Sequence, residues 1–160
     1  PVCPIVRELA PAMPKAAFSE IASKIRSGAT VVDVREALQF LVKVDLLRKK
    51  SDGTYEQTEK AVKGSKEAIP LAIRAMNKKM AEFAVQSIAN DPIEERNFSS
   101  VTMGVDRPTY DRIVKEIDAF RKRIVSIANG CKKIEQVYQF NLQMFPLTDK
   151  VGASEIKKGR

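Results

Sequence analysis

Histidine and tryptophan are absent from the 160 residues and cysteine occurs only twice. No apolar run approaches the roughly 20 residues that a membrane-spanning helix needs. Without histidine there is no Ser-His or Cys-His dyad and no His-containing metal site. Two cysteines, Cys3 and Cys131, are too few for the disulfide framework of a small secreted domain, so reduced thiols in a cytoplasm are expected. No enzyme is expected, and no cofactor or metal. The acidic run Glu94-Glu95-Arg96 offers adjacent side chains that point in different directions, with no nucleophile beside them. The chain opens on PVCPIVRELA, which reads as the middle of a helix, so it is expected to be part of a longer protein.

Basic residues, by contrast, are plentiful. Lys+Arg number 28 against 20 Asp+Glu, a formal net charge of +8. Such a balance points to an anionic partner, nucleic acid first and a lipid surface second. Its distribution tempers that argument, because residues 1–60 carry a net of only +2 and residues 96–160 a net of +6. No membrane association is expected.

The chain is organised around residues 18–58, FSEIASKIRSGATVVDVREALQFLVKVDLLRKKSDGTYEQT. Two helical patterns meet at Ser27-Gly28, where glycine can take the left-handed conformation that stops a helix. Thr30 and Asp33 have the spacing of a capping box opening the second helix. Val34, Ala37, Leu38 and Leu41 form its apolar stripe, which leaves Asp33, Arg35, Glu36, Gln39 and Lys43 free for a partner. The period then switches to two around Ser51-Asp52-Gly53, a hairpin signal. Together with a first helix carrying Ile5, Val6 and Leu9, and with Phe18, Ile21, Ala22 and Ile25 facing inward from the next, this reads as a winged helix-turn-helix over residues 1–62.

A polar connection, KAVKGS at residues 60–65, marks a boundary. Beyond it the pattern predicts a small domain over residues 66–148, of order helix, strand, helix, strand. Its first helix spans about 69–89, with a stripe of Ile69, Ile73, Met76, Met80, Phe83, Ala84 and Ile88. A strand follows at 97–105. The second helix, about 109–128, turns Ile113, Ile117, Phe120, Ile124 and Ile127 inward and ends at Asn129-Gly130. Residues 137–145 form the last strand, with Tyr138, Phe140, Leu142 and Met144 as core. The strand–helix–strand order implies a parallel pair with a right-handed crossover. Residues 149–160 read as a basic tail. The fold class expected is therefore α+β, a winged helix-turn-helix followed by a small α-β-α-β domain.

The run ERNFSSVTMGV at 95–105, the amphipathic helix after it, and VYQFNLQMFPLT at 137–148 resemble the C-terminal part of a paralogous protein family first noted in Fibrobacter. The resemblance extends back to IVRELA. It implies a regulator whose full-length form carries a further helical region ahead of this stretch, and it assigns no catalytic or ligand residue.

The expected function is that of a DNA-binding transcriptional regulator. Thr30, Arg35, Gln39 and Lys43 on the second helix of the motif face the major groove, and Arg48, Lys49 and Lys50 meet backbone phosphates from the hairpin. The alternative is a protein-interaction module in which the same scaffold binds no nucleic acid. The two are discriminated by surface: one continuous cationic face favours DNA, whereas interruption by Asp33, Glu36, Asp45 and Asp52 favours docking. A second basic patch, Lys115, Arg121, Lys122, Arg123, Lys132 and Lys133, reads as the solvated face of its helix or as a second anion-binding surface. Self-association as a homodimer through residues 66–148 is expected as well, because two strands alone leave both sheet edges open.

Overall fold

Proline at position 11 removes a backbone donor, yet the first helix, α1 (Val2–Ala12), runs through it in this computed structural model, which describes residues 2–58 and 68–152. The carbonyl that Pro11 leaves unserved in the i to i−4 ladder is that of Arg7, and the Gln57 side-chain amide donates to it at 3.1 Å. The helix therefore reaches Ala12 instead of stopping ahead of the proline. Lys15, at φ 62°, then reverses the chain.

The next helix, α2 (Phe18–Ser23), is shorter than its sequence pattern, which continues to Arg26. Lys24 and Ile25 donate to the carbonyls of Ile21 and Ala22, so the last turn tightens to three-residue bonds while Ile25 stays buried. Gly28 takes φ +78° in the connection that follows. At the start of α3 (Val31–Lys43) the capping box forms as expected, Thr30 Oγ1 accepting from the Asp33 amide at 3.1 Å and Asp33 Oδ2 accepting from the Thr30 amide at 2.7 Å.

At its other end α3 closes in a Schellman arrangement. Leu46 N donates to Leu41 O and Asp45 N to Val42 O, with Asp45 in the left-handed region at φ 60° where glycine is usual. This turn delivers the chain into β1 (Leu47–Lys49), which pairs antiparallel with β2 (Tyr55–Gln57) in the register Leu47 with Gln57, Arg48 with Glu56, and Lys49 with Tyr55. Asp52-Gly53 makes the turn, Gly53 at φ +85°.

One apolar cluster holds these pieces together: Val6 and Ala10 of α1, Ile21 and Ala22 of α2, Ile25, the α3 stripe Val34, Ala37, Leu38 and Leu41, and Leu46 and Leu47. The stripe is the one its three- and four-residue spacing marks out. Thr58 ties the end of the hairpin back, its hydroxyl donating to the Asp45 carbonyl and its amide to that of Leu46, while the Arg7 guanidinium reaches the Thr58 carbonyl at 3.2 Å.

The second half is organised differently. Helices α4 (Ala68–Asn90) and α5 (Arg107–Asn129) form over the ranges their periodicity implies, with Asp106 capping α5 by accepting from the Thr109 amide at 2.9 Å. Gly130 ends α5 without the left-handed turn expected of it, at φ −77°. A three-residue 3-10 turn, Ile93–Glu95, lies between the two helices. Arg26 contacts this region from the first unit, with Nη1 2.6 Å from Asp91 and Nη2 3.4 Å from Glu95.

The two strands expected at 97–105 and 137–145 are not formed. Both segments run without helix or strand, and among the described residues the only sheet is β1 with β2, so there is no parallel pair and no crossover unit. Nor are Tyr138, Phe140 and Leu142 core, at 66%, 49% and 37% exposure. Met80 is the one buried apolar residue beyond Leu47 among the described residues. Ile73 and Ile88 of the α4 stripe and Ile127 of the α5 stripe stand exposed, as does Phe120. Alternation specifies which side chains share a face, but a core needs a second layer, and none covers these side chains among the described residues. The mixed helical and small antiparallel architecture remains α+β. The connection at 60–65 and most of the tail, from residue 153, lie outside the described residues.

Candidate functional site

Steps of four along α3 put Arg35, Gln39 and Lys43 in one row on the side away from the core stripe. The Thr30 cap sets where that helix begins, and the turn at Asp45 sets the angle at which the hairpin leaves it. Lys49, which pairs with Tyr55 in the hairpin, comes to face the same row. The result is one open groove between α3 and the hairpin. Arg35, Gln39, Lys43 and Lys49 line it, and Phe18, Leu38, Val42 and Tyr55 supply its apolar part.

Four of the seven candidate residues are thus brought together. The other three are placed elsewhere. Arg48, next to Lys49 in the strand, projects to the opposite face and bridges its cross-strand neighbour Glu56 at 3.1 Å. The Thr30 hydroxyl both accepts from the Asp33 amide and donates to the Asp33 carboxylate at 2.7 Å, so its hydrogen-bonding capacity is engaged at the helix start. Lys50 opens the turn, its amide donating to the Thr54 carbonyl at 2.8 Å, and its side chain is exposed outside the groove lining.

Among the described residues no carboxylate lines the groove. Asp33 is held by the Thr30 amide and hydroxyl, and these hydrogen bonds lower its pKa below the ordinary aspartate value. Asp52 accepts from the Thr54 hydroxyl at 2.6 Å and amide at 2.9 Å, which also holds its pKa down. Both are charged at neutral pH, with their oxygens turned to local backbone and hydroxyl groups. Glu36 is exposed on α3 but does not line the groove.

Sequence reasoning missed the apolar half of the groove. Phe18 and Leu38 carry a core signature, and Leu38 does serve the core while also flooring the groove. Tyr55 could have been found from its place opposite Lys49 across the three-residue turn Ser51-Asp52-Gly53.

On α5, the second basic patch is partly engaged: Arg121 pairs with Asp118 at 2.7 Å, and the Arg123 guanidinium lies 5.6 Å from the centre of the Phe120 ring. Lys115, Lys122, Lys132 and Lys133 are exposed. Among the described residues no group of acidic or cysteine side chains is arranged to hold a metal, and neither Cys3 nor Cys131 is in a disulfide. No helix among them is long and apolar enough to cross a membrane.

A family model described as "Domain of unknown function (DUF4423)" matches residues 1–147. Neither a curated protein nor a solved structure matches the chain. Because the family match runs through the helix-and-hairpin unit, α4, α5 and the segments 97–105 and 137–145, the chain belongs to the DUF4423 family.

Proposed function

We propose that this chain is the DNA-contacting part of a cytoplasmic transcriptional regulator, with the first three helices and the hairpin acting as a winged helix-turn-helix. The observation that carries this reading is the groove itself: three cations, Arg35, Lys43 and Lys49, and the amide of Gln39 line it, with no carboxylate among the described residues. In a winged helix the second helix of the motif, here α3, enters the major groove, where arginine reads guanine and glutamine reads adenine by paired hydrogen bonds. Lys43 and Lys49 then act on the flanking phosphates, which position the protein and carry no sequence information. Arg48, being paired with Glu56, supports the hairpin in this reading and does not bind phosphate. Lys50 and Thr30 flank the contact.

Titration of labelled genomic DNA fragments with the protein at several salt concentrations tests this. Binding that weakens with salt, and that selects some fragments over others, is the expected result. Failure to bind any fragment at 50 mM salt removes the reading.

A second reading has one observation in its favour. Phe18, Leu38, Val42 and Tyr55 give the groove an apolar part that a phosphate backbone does not need, and which suits a short amphipathic acidic peptide. A protein that ignores DNA yet binds such a peptide in the groove is the outcome this reading requires.

A further inference from the structure

Residues 97–105 and 134–146 belong to no helix or strand, and among the described residues they make no backbone–backbone hydrogen bond. They are nevertheless held in place. Asn141 donates its side-chain amide to the Met80 carbonyl of α4 at 2.9 Å, and Phe140 meets Phe120 of α5 edge to face with ring centres 5.9 Å apart. The first segment leaves Arg96, whose Nε donates to the Asp91 carbonyl at 3.0 Å and whose guanidinium covers Phe98. Each segment thus carries the alternation of a strand, makes no backbone pairing among the described residues, and holds apolar side chains in the open. Val101 and Tyr138 are 76% and 66% exposed.

We infer that these two segments are the strands of an intermolecular sheet, and that their partner is a second copy of this chain, contributing the same two segments across a two-fold axis.

Surface area supports an extensive contact. A compact protein of 17.8 kDa exposes about 8,000 Å². This chain exposes 13356 Å². Even if the 18 residues outside the described set are granted the surface of a fully extended chain, about 2,900 Å², roughly 2,500 Å² per copy remains above the compact value. Two copies together match the ~2,000–5,000 Å² that obligate homodimers bury. The excess is local: of the 24 exposed large apolar residues among the described residues, 20 lie from Leu71 onward.

Charge supports a copy of the chain itself. At +8, two copies repel one another over most of their surfaces, and association needs a patch free of charge. Residues 97–105 contain no charged side chain, and neither do residues 136–148 apart from their flanks at Glu135 and Asp149. A nucleic acid or acidic peptide has nothing to recognise there. Neither segment carries the lysine or proline that guards an open edge until Pro146. A two-fold contact serves both segments of both chains in one closed interface, whereas a single unrelated strand leaves one of the two open.

Sedimentation velocity at micromolar concentration, paired with amide hydrogen exchange, tests the inference. The expected particle is about 36 kDa, twice 17.8 kDa, with slow exchange at 97–105 and 137–145. The double variant Tyr138→Lys, Leu142→Lys is expected at 17.8 kDa, with fast exchange at both segments and the circular dichroism of α1 to α3 retained. A wild-type monomer across the range overturns the inference, whether or not those amides are slow. So does a dimer whose 97–105 and 137–145 amides exchange as freely as an open chain, or a double variant that stays dimeric with both segments slow. None of these measurements involves DNA, so their outcome is separate from that of the DNA titration.

Discussion

The side chain of Gln57, at the end of the hairpin, donates to the backbone carbonyl of Arg7, 50 residues earlier, and thereby does for α1 what the amide of residue 11 would do if it were not proline. The bond joins the first helix to the last strand of the unit, next to the Arg7 guanidinium that reaches the Thr58 carbonyl. Both contacts set where the hairpin stands relative to the core, and so where Lys49 stands relative to α3.

Gln57→Leu is therefore expected to cost about 1 kcal/mol, the usual net value of one hydrogen bond. In a Pro11→Ala background the same substitution should cost less, since the Ala amide can serve the Arg7 carbonyl from within the helix. Urea unfolding of the four proteins gives the coupling; equal costs in the two backgrounds would show that the Arg7 carbonyl has no need of Gln57.

Leu38 is 2% exposed and touches both the core and the groove. Leu38→Ala should lower stability by roughly 2–5 kcal/mol, and Leu38→Asp should unfold the unit, because an unpaired carboxylate would stand in its core. Circular dichroism checks both. Wild-type helicity and stability in Leu38→Asp would overturn the placement of this residue.

Three carboxyls, Asp33, Asp52 and Asp106, have pKa values lowered by hydrogen bonds, respectively from the Thr30 backbone, the Thr54 hydroxyl and the Thr109 hydroxyl first of all. A carboxyl with a lower pKa in the folded protein than in the unfolded chain stabilises the fold above the unfolded value, and this contribution is lost as pH falls through the folded value. Stability should therefore fall as the pH drops below about 4, the ordinary aspartate range. Thermal melts between pH 6 and 3 should show a shallower decline for Asp33→Asn combined with Asp52→Asn. An unaltered pH profile would mean that these caps contribute nothing to it.

For the groove, the discriminating measurement is the salt dependence of DNA binding. Lys43→Gln with Lys49→Gln should flatten the plot of log K against log salt by roughly 1.8, about 0.9 for each phosphate contact removed. Arg48→Gln should leave the slope as it is, because Arg48 already faces Glu56. The reverse pattern would put the phosphates on the other face of the hairpin.

Local chemistry in the chain settles several features outright. Thr30 and Asp33 stand three apart and cap each other; Val34, Ala37, Leu38 and Leu41 repeat at helical spacing and become core; Asp52-Gly53 offers a positive φ and becomes the turn. All depend on neighbours within a few residues, which is why they can be read directly. Other features depend on partners distant in the chain. That α1 passes through Pro11 required Gln57, and that Asp45 takes a glycine-like conformation required Leu46 to enter the core beside Leu41. The adjacent cations Arg48 and Lys49 look alike in the sequence, and the register of the hairpin alone gives one to Glu56 and the other to the groove. Alternation at 97–105 and 137–145 is likewise local information: it says how each segment would present its side chains in a sheet. Whether a sheet forms depends on a strand to pair with, and hydrogen bonds between strands are made with whatever the tertiary or quaternary arrangement brings alongside.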